Sequence, residues 1–269
     1  ILDKLIGAAP GNVALLSRRA NLLRAMDRVE QAVEAYLEIV DLFRQIDEIE
    51  NAIAVYQTVI NMQPGEMEHR RRQQELFLQL GNERVIVEQT MQLTQLYLER
   101  GEAPEACRLL ERALEAVPQS AELLDHSGSL YEECGRRGEA AESFVAAGRL
   151  FHSQGRGEEA QQALERALRC VPEHLEAREL LADVLLRRGE TLQAIGILTD
   201  LSGFYQREGR PDVVIRLCRR VLSAQPDHLP TLLVLAEAHE LSGEVDLRNE
   251  VLIHIVDLYM RAEDWGRAT

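Results

Sequence analysis

Residues 121–172 read AELLDHSGSLYEECGRRGEAAESFVAAGRLFHSQGRGEEAQQALERALRCVP. Three apolar stripes at helical spacing run through this stretch. Leu124, Gly128 and Tyr131 share one face of a predicted helix over 121–133. Ala140, Phe144, Ala147 and Phe151 do so over 139–153, and Ala160, Leu164 and Ala167 over 158–170. Gly135 and Gly155 follow the first two helices, where glycine commonly ends a helix. Val171-Pro172 stops the third, because the residue before proline is pushed out of helical conformation. The breaks are short enough to make successive helices antiparallel neighbours.

The same unit recurs along the whole chain. Pro10, Pro64, Pro118, Pro172 and Pro226 each stand 54 residues beyond the last. Phe43, Tyr97, Phe151, Tyr205 and Tyr259 keep that step. So do Gly81, Gly135, Gly189 and Gly243, with Asp27 in the same slot of the first unit. A further series reads Asp47, Gly101, Gly155, Gly209 and Glu263. Small residues recur at Ala52, Ala106, Ala160 and Ala268, with Val214 the exception. A fixed step of this length means stacked supersecondary units rather than one globular core. The reading is a single continuous array over 1–269, cut from a longer protein, with units at 11–64, 65–118, 119–172, 173–226 and 227–269.

The pattern of Leu, small residue, Gly or Ala and aromatic, then Ala, aromatic or Leu and Ala, then Pro, resembles the tetratricopeptide repeat. Leu181-Ala182, Leu185, Gly189, Ala194, Leu198, Gly209 and Pro226 carry it again. The family repeat has two helices in 34 residues, whereas here signatures start near Ala121, Ala141 and Leu175. The step is therefore 34 plus 20, and the middle helix serves two overlapping signatures. The resemblance implies an all-α solenoid of antiparallel helices, about fifteen in number. It also implies a right-handed superhelix, of a curvature that a three-helix unit leaves open. The middle helices carry apolar residues on more than one face, as in Val33, Tyr36, Leu37, Val40 and Phe43, and are expected to be the most enclosed layer.

Composition narrows the function. Aromatic residues are 4% of the 269, and the formal charge is −15. An acidic chain disfavours nucleic acid, which needs a basic footprint. No run reaches 18 apolar residues and no signal-peptide pattern opens the chain, so neither membrane insertion nor export is expected. Cys107, Cys134, Cys170 and Cys218 form no paired framework; Cys107 and Cys218 read as small core residues. Lys4 is the only lysine, a bias read as base composition. Together these give a cytoplasmic, bacterial protein.

No enzyme signature is present: glycines sit singly at helix breaks, and HExxH, GxSxG and CxxC are absent. No metal ligands, catalytic residues or cofactor are assigned. His174 and His228 share a slot with Asn12, Glu66 and Ser120, polar groups suited to capping a helix. His126, beside Asp125, reads as exposed.

In the tetratricopeptide family, ligands lie along exposed positions of the first helix of each repeat. The resemblance carries those positions onto Ser17, Asn21 and Arg24; Arg71, Glu75 and Leu78; Asp125, Ser129 and Glu132; Glu179, Asp183 and Leu186; and Leu233, Glu237 and Glu240. The partner-binding candidates are Arg71, Glu75, Asp125, Ser129, Glu132, Glu179, Asp183, Glu237 and Glu240. The acidic run from Asp125 onward fits a basic or helical protein segment and disfavours a clamp for a C-terminal carboxylate. By analogy with bacterial multi-repeat scaffolds, partners would include a small GTPase or components of secretion, pilus or polarity assemblies. A second reading is end-to-end self-assembly, with Ile1, Leu2, Leu5 and Ile6 packing on the opposite end of another copy.

The small slots set how near the helices come, at the low end of the usual axis separation of about 8–10 Å. Ala160→Leu is expected to cost roughly 1–3 kcal/mol by overpacking. Unchanged thermal unfolding of that variant rejects the assignment.

Overall fold

A computed structural model describes residues 6, 7, 9 and 11–268, with side chains as far as 261. Ile1, Leu2, Leu5 and Pro10 lie outside the described residues, as do the side chains of Glu263 and Ala268. Every described element is a helix. They are α1 (Val13–Ala25), α2 (Val29–Gln45), α3 (Ile49–Met62), α4 (Met67–Leu80), α5 (Glu83–Glu99), α6 (Ala103–Ala116) and α7 (Ala121–Glu133). There follow α8 (Arg137–Ser153), α9 (Gly157–Cys170), α10 (Leu175–Arg187), α11 (Thr191–Arg207), α12 (Pro211–Ala224), α13 (Leu229–Leu241) and α14 (Val245–Ala268). Their starts repeat the 54-residue step: Val13, Met67, Ala121, Leu175 and Leu229 open first helices; Val29, Glu83, Arg137, Thr191 and Val245 open middle ones. The chain packs as two compact units, 1–123 and 124–269. Within each, a helix packs on its neighbours in sequence, and these contacts make the core.

The turns between helices explain the glycine series. Seven of its members, Gly81, Gly101, Gly135, Gly155, Gly189, Gly209 and Gly243, have φ between 68° and 79°. Asp27 and Asp47, which stand in glycine slots, adopt φ of 59° and 60°. Short Asn and Asp side chains are the non-glycine residues that tolerate this left-handed conformation best. After Gly135, the Arg136 N–H donates back to Tyr131 O at 2.8 Å and closes the helix end. The Arg136 guanidinium then lies 4.4 Å over the Tyr131 ring, and Arg156 repeats this over Phe151 at 4.4 Å.

The tenth slot of this kind behaves differently. Glu263 falls where the step requires a left-handed turn, and α14 runs straight through it to Ala268. Glutamate lacks both glycine's freedom and a short side chain that can bond its own backbone, while it is a good helix former. The expected break there, and the start of a further third helix, are absent. Among the described residues fourteen helices are bounded, in keeping with the all-helical array of about fifteen expected over the whole sequence.

Packing of first on middle helices rests on one pair of slots. A Cβ added to Gly128 of α7 would stand 2.5 Å from the Phe144 ring of α8. Phe144 is itself fully buried. In the corresponding slots stand Ala20 with Tyr36, Gln74 with Thr90, and Ala182 with Leu198. A small residue on one helix admits a larger one from the next. The second unit uses a polar version, in which Gln74 Nε2 donates to Thr90 Oγ1 at 2.7 Å, both residues being buried. Middle on third packing repeats the device: Leu164 of α9 fills the space over Gly148, and Ala160 is wholly buried.

The middle helices are not the most enclosed layer. Each keeps an open polar ridge, such as Glu34, Glu38 and Asp41 on α2 or Glu88, Gln92 and Glu99 on α5. Apolar residues on two faces meet the helices before and after, and the remaining face stays in water. The third helices are at least as enclosed: α12 buries Val213, Val214, Ile215, Leu217, Cys218 and Val221.

Gly128→Ala is expected to destabilise the protein by about 2 kcal/mol, because the methyl has no space beside Phe144. Phe144→Leu in the same chain recreates the Ala182–Leu198 pair and should recover most of that loss. Chemical denaturation of both singles and the double measures the coupling.

Candidate protein-interaction faces

The residues named as partner-binding candidates all lie on first helices, and each already has a partner inside the protein. In the unit 1–123, Arg71 pairs with Glu68 at 2.7 Å, and Glu75 with Arg112 of α6 at 3.3 Å. In the unit 124–269, Arg166 of α9 reaches across to α7. Its guanidinium is 3.3 Å from Asp125, donates to Ser129 Oγ at 2.8 Å, and is 3.5 Å from Glu132. Arg220 of α12 does the same to α10. It pairs with Glu179 at 3.4 Å and with Asp183, while Arg216 adds a second contact to Glu179 at 3.3 Å. On α13, Glu237 accepts from Gln206 Nε2 at 2.7 Å, and Glu240 pairs with Arg248 at 3.4 Å.

These contacts are periodic. Arg112, Arg166 and Arg220 are 54 residues apart, as are Glu75, Ser129 and Asp183. One arginine on each of three third helices therefore holds the polar face of its own first helix. The first unit departs from this: Thr58 stands in the arginine slot, and Asn21 accepts a hydrogen bond from Tyr36 Oη at 2.8 Å instead. Sequence reading found the carboxylates and missed the arginines. The signal was present as a further 54-residue series, Arg112, Arg166 and Arg220.

Arg166 has a further contact. Its guanidinium lies 4.1 Å over the Phe144 ring, the same ring that fills the space at Gly128. Three helices thus meet at one point: α7 supplies the space and the carboxylates, α8 the ring, and α9 the cation. A guanidinium stacks on a ring while keeping its in-plane donors for oxygen acceptors, which an ammonium cannot do. Burial raises the Asp125 carboxyl above its ordinary value, with the Arg166 charge pulling the other way. Burial lowers the neighbouring His126 imidazole. His126 is half-buried rather than exposed as expected, because its helix face turns toward the packed side. The two act oppositely with pH. A depressed imidazole loses stability as pH falls through the unfolded value of about 6.5, whereas a raised carboxyl gains it on protonation.

The other candidates are structural. Asn12 and Ser120 cap helices, and the Ala177 N–H donates to His174 Nδ1 at 3.3 Å. His228 bonds Thr231 Oγ1 at 2.7 Å. Cys107, Cys170 and Cys218 are buried, and burial pushes the Cys218 thiol up to about 11, which leaves it an unreactive core group. Among the described residues, no group of histidine, cysteine and carboxylate side chains could hold a metal, and no helix is long and apolar enough to cross a membrane. Equivalent crevices open in the two units. One of 330 Å³ is lined by His152, Gly155, Gly157, Glu158, Val184, Arg187 and Arg188; the other, of 430 Å³, runs from Asp47 to Asn51 and includes Gln79 and Leu80. Both are open and polar, with charges of different sign.

Two family models, each described as tetratricopeptide repeat, match residues 33–66 and 145–201. The protein carries tetratricopeptide repeats. The first match spans 34 residues over α2 and α3, a middle and a third helix, whereas the second runs from α8 through α9 and α10 into α11 and so takes in a first helix as well. No curated protein matches the chain in sequence. Solved structures with similarity include the MamA protein, at 17% identity over 87% of this chain and 94% of that one, with a TM-score of 0.23. YrrB, described as a TPR protein with an unusual peptide-binding site, shares 16% identity over 86% and 95%, with a TM-score of 0.26. The Podosopora anserina putative kinesin light chain nearly identical TPR-like repeats share 15% over 86% and 96%, at 0.29. Overlaps this loose carry nothing about ligand or curvature.

Arg166→Ala is expected to cost about 2 kcal/mol, since it strands the half-buried Asp125 carboxylate and uncovers Phe144. Arg108→Ala removes a solvent-exposed pair with Glu105 and should cost under about 0.5 kcal/mol. Thermal unfolding of the two variants side by side decides whether the arginine series is structural.

Proposed function

We propose that the protein is a non-enzymatic scaffold that holds protein partners on the polar faces of its tetratricopeptide first helices. The observation that supports this reading is the repeated third-helix arginine. It fixes a carboxylate face in one geometry at the same slot of successive units, while leaving much of each side chain open. Preorganised charged groups lose less entropy on binding than free ones.

The pairing also refines the partner. An acidic face from Asp125 onward would simply attract cations. Here Arg166, Arg216 and Arg220 already neutralise Asp125, Glu179 and Asp183. The carboxylates with most freedom are the exposed Glu132, Glu237 and Glu240. A basic or helical segment that binds would pair with these three and pack along Leu233, which is 45% exposed. Arg71 and Glu75 would form a separate contact on the other unit. A cytoplasmic setting and a role in a bacterial secretion, pilus or polarity assembly belong to the same proposal by analogy. End-to-end self-assembly would need Ile1, Leu2 and Leu5, which lie outside the described residues.

Affinity capture from native extract, read by mass spectrometry, tests the reading. The triple variant Glu132→Arg, Glu237→Arg and Glu240→Arg is expected to lose captured proteins that the parent retains, with its melting temperature unchanged. Identical capture by both chains overturns the assigned faces.

A further inference from the structure

The seam between α4 and α5 breaks the packing rule of its own repeat. Elsewhere a small residue on the first helix receives an apolar side chain from the middle helix, as Gly128 receives Phe144. Here the two slots hold Gln74 and Thr90, and both are buried. The neighbouring slots are polar as well. Gln89 and Gln92 stand where the third unit has Ser143 and Ala146, and Arg70 stands where it has Leu124. Departures from a local rule concentrate at sites that do something other than pack.

Between the two helices lies a recess of 40 Å³, lined by Arg70 and Gln74 of α4 and by Gln89, Gln92 and Leu93 of α5. Gln74 uses its amide nitrogen on Thr90 Oγ1, at 2.7 Å. Its Oε1 is buried and accepts from no group among the described residues. Arg70 Nη2 donates to Pro64 O at 3.3 Å, whereas its buried Nε donates to no group among the described residues. A buried polar atom without a partner is costly, and two of them beside one recess call for a group that serves both.

The two atoms need opposite things. Gln74 Oε1 requires a donor and Arg70 Nε an acceptor. A carboxylate brings acceptors only, and the Gln74 oxygen repels it. An ammonium brings donors only, and the guanidinium repels it. A carboxamide is neutral and carries both. Its NH₂ donates to Gln74 Oε1 while its oxygen accepts from Arg70 Nε, and the second bond is strengthened by the arginine charge. Size agrees with this. The recess exceeds one water's share of liquid volume, about 30 Å³, by little, so it takes the head of one side chain and not a ring. Gln92 is exposed and Arg70 and Gln89 are half-buried, so the recess is reached from solvent.

We propose that the α4–α5 recess is a binding site for a carboxamide, the end of an asparagine or glutamine side chain of a partner protein. The carboxamide head enters between the helices and bridges Gln74 and Arg70, and the carbon that carries it stays at the mouth beside Gln92. The site uses none of the carboxylates on the first-helix faces, so each can fail alone.

The test uses the whole isotope-labelled chain with acetamide as the probe. NMR follows the side-chain amides of Gln74, Gln89 and Gln92 and the Arg70 Nε–H. Acetamide at millimolar concentration is expected to shift these signals to saturation, while acetate and methylammonium at equal concentration do not. Gln74→Met keeps the length of the side chain and loses its carbonyl; Arg70→Met loses the donor. Each should weaken acetamide binding at least fivefold while circular dichroism shows the helices intact, and Arg108→Ala should leave it unchanged. Arg70→Met, at a half-buried position, decides the matter if Gln74→Met disturbs the seam. Absence of a saturable response, or an equal response in the parent and Arg70→Met, overturns the proposal, because the recess then holds water alone. Tighter binding of acetate overturns it too, since two donors would then face the recess.

Discussion

The fold depends on how closely first, middle and third helices can approach at one repeated point. At Gly128, Phe144 and Arg166 that approach is most fully developed. The missing side chain on α7 admits a ring from α8, and the ring carries a guanidinium from α9 that returns to carboxylates on α7. At this point all three helices of the repeat meet in one contact that is apolar on one side and charged on the other. The unit behaves as one object rather than three, which a 54-residue step requires.

The other repeats vary this theme within its limits. Ala182 with Leu198 is a smaller version, and Gln74 with Thr90 a polar one. The arginine persists at Arg112 and Arg220, although the residues in the Phe144 slot beside them are Thr90 and Leu198. What is kept is the reach of a third-helix arginine to a first-helix acid, as from Arg220 to Glu179. That contact ties elements that are not sequence neighbours, so it bears on how a charged face is presented as well as on stability. Carboxylates that would otherwise repel one another are held in fixed register, with part of each left for a partner.

The turns impose a second constraint. Nine helix ends require a left-handed residue, and glycine or aspartate supplies it at each. At Glu263 neither is present, and α14 continues as helix.

The sequence by itself determined the repeat, nine of the helix ends and the recurring small slots. These are local or strictly periodic, and spacing in one dimension records them: Asp27 and Asp47 could be placed in glycine slots before any coordinates. The first-helix candidates were legible in the same way, through a family pattern. The tertiary structure alone decided which charges meet. Arg166 and Asp125 are 41 positions apart, and no local rule says that a guanidinium will cross the ring of Phe144 to reach that acid. It also decided burial: whether His126 faces packing or water, and whether a middle helix keeps an open ridge, depends on where two neighbours leave room. A residue's own helix fixes the direction of its side chain, but only the packed helices around it fix what that side chain touches.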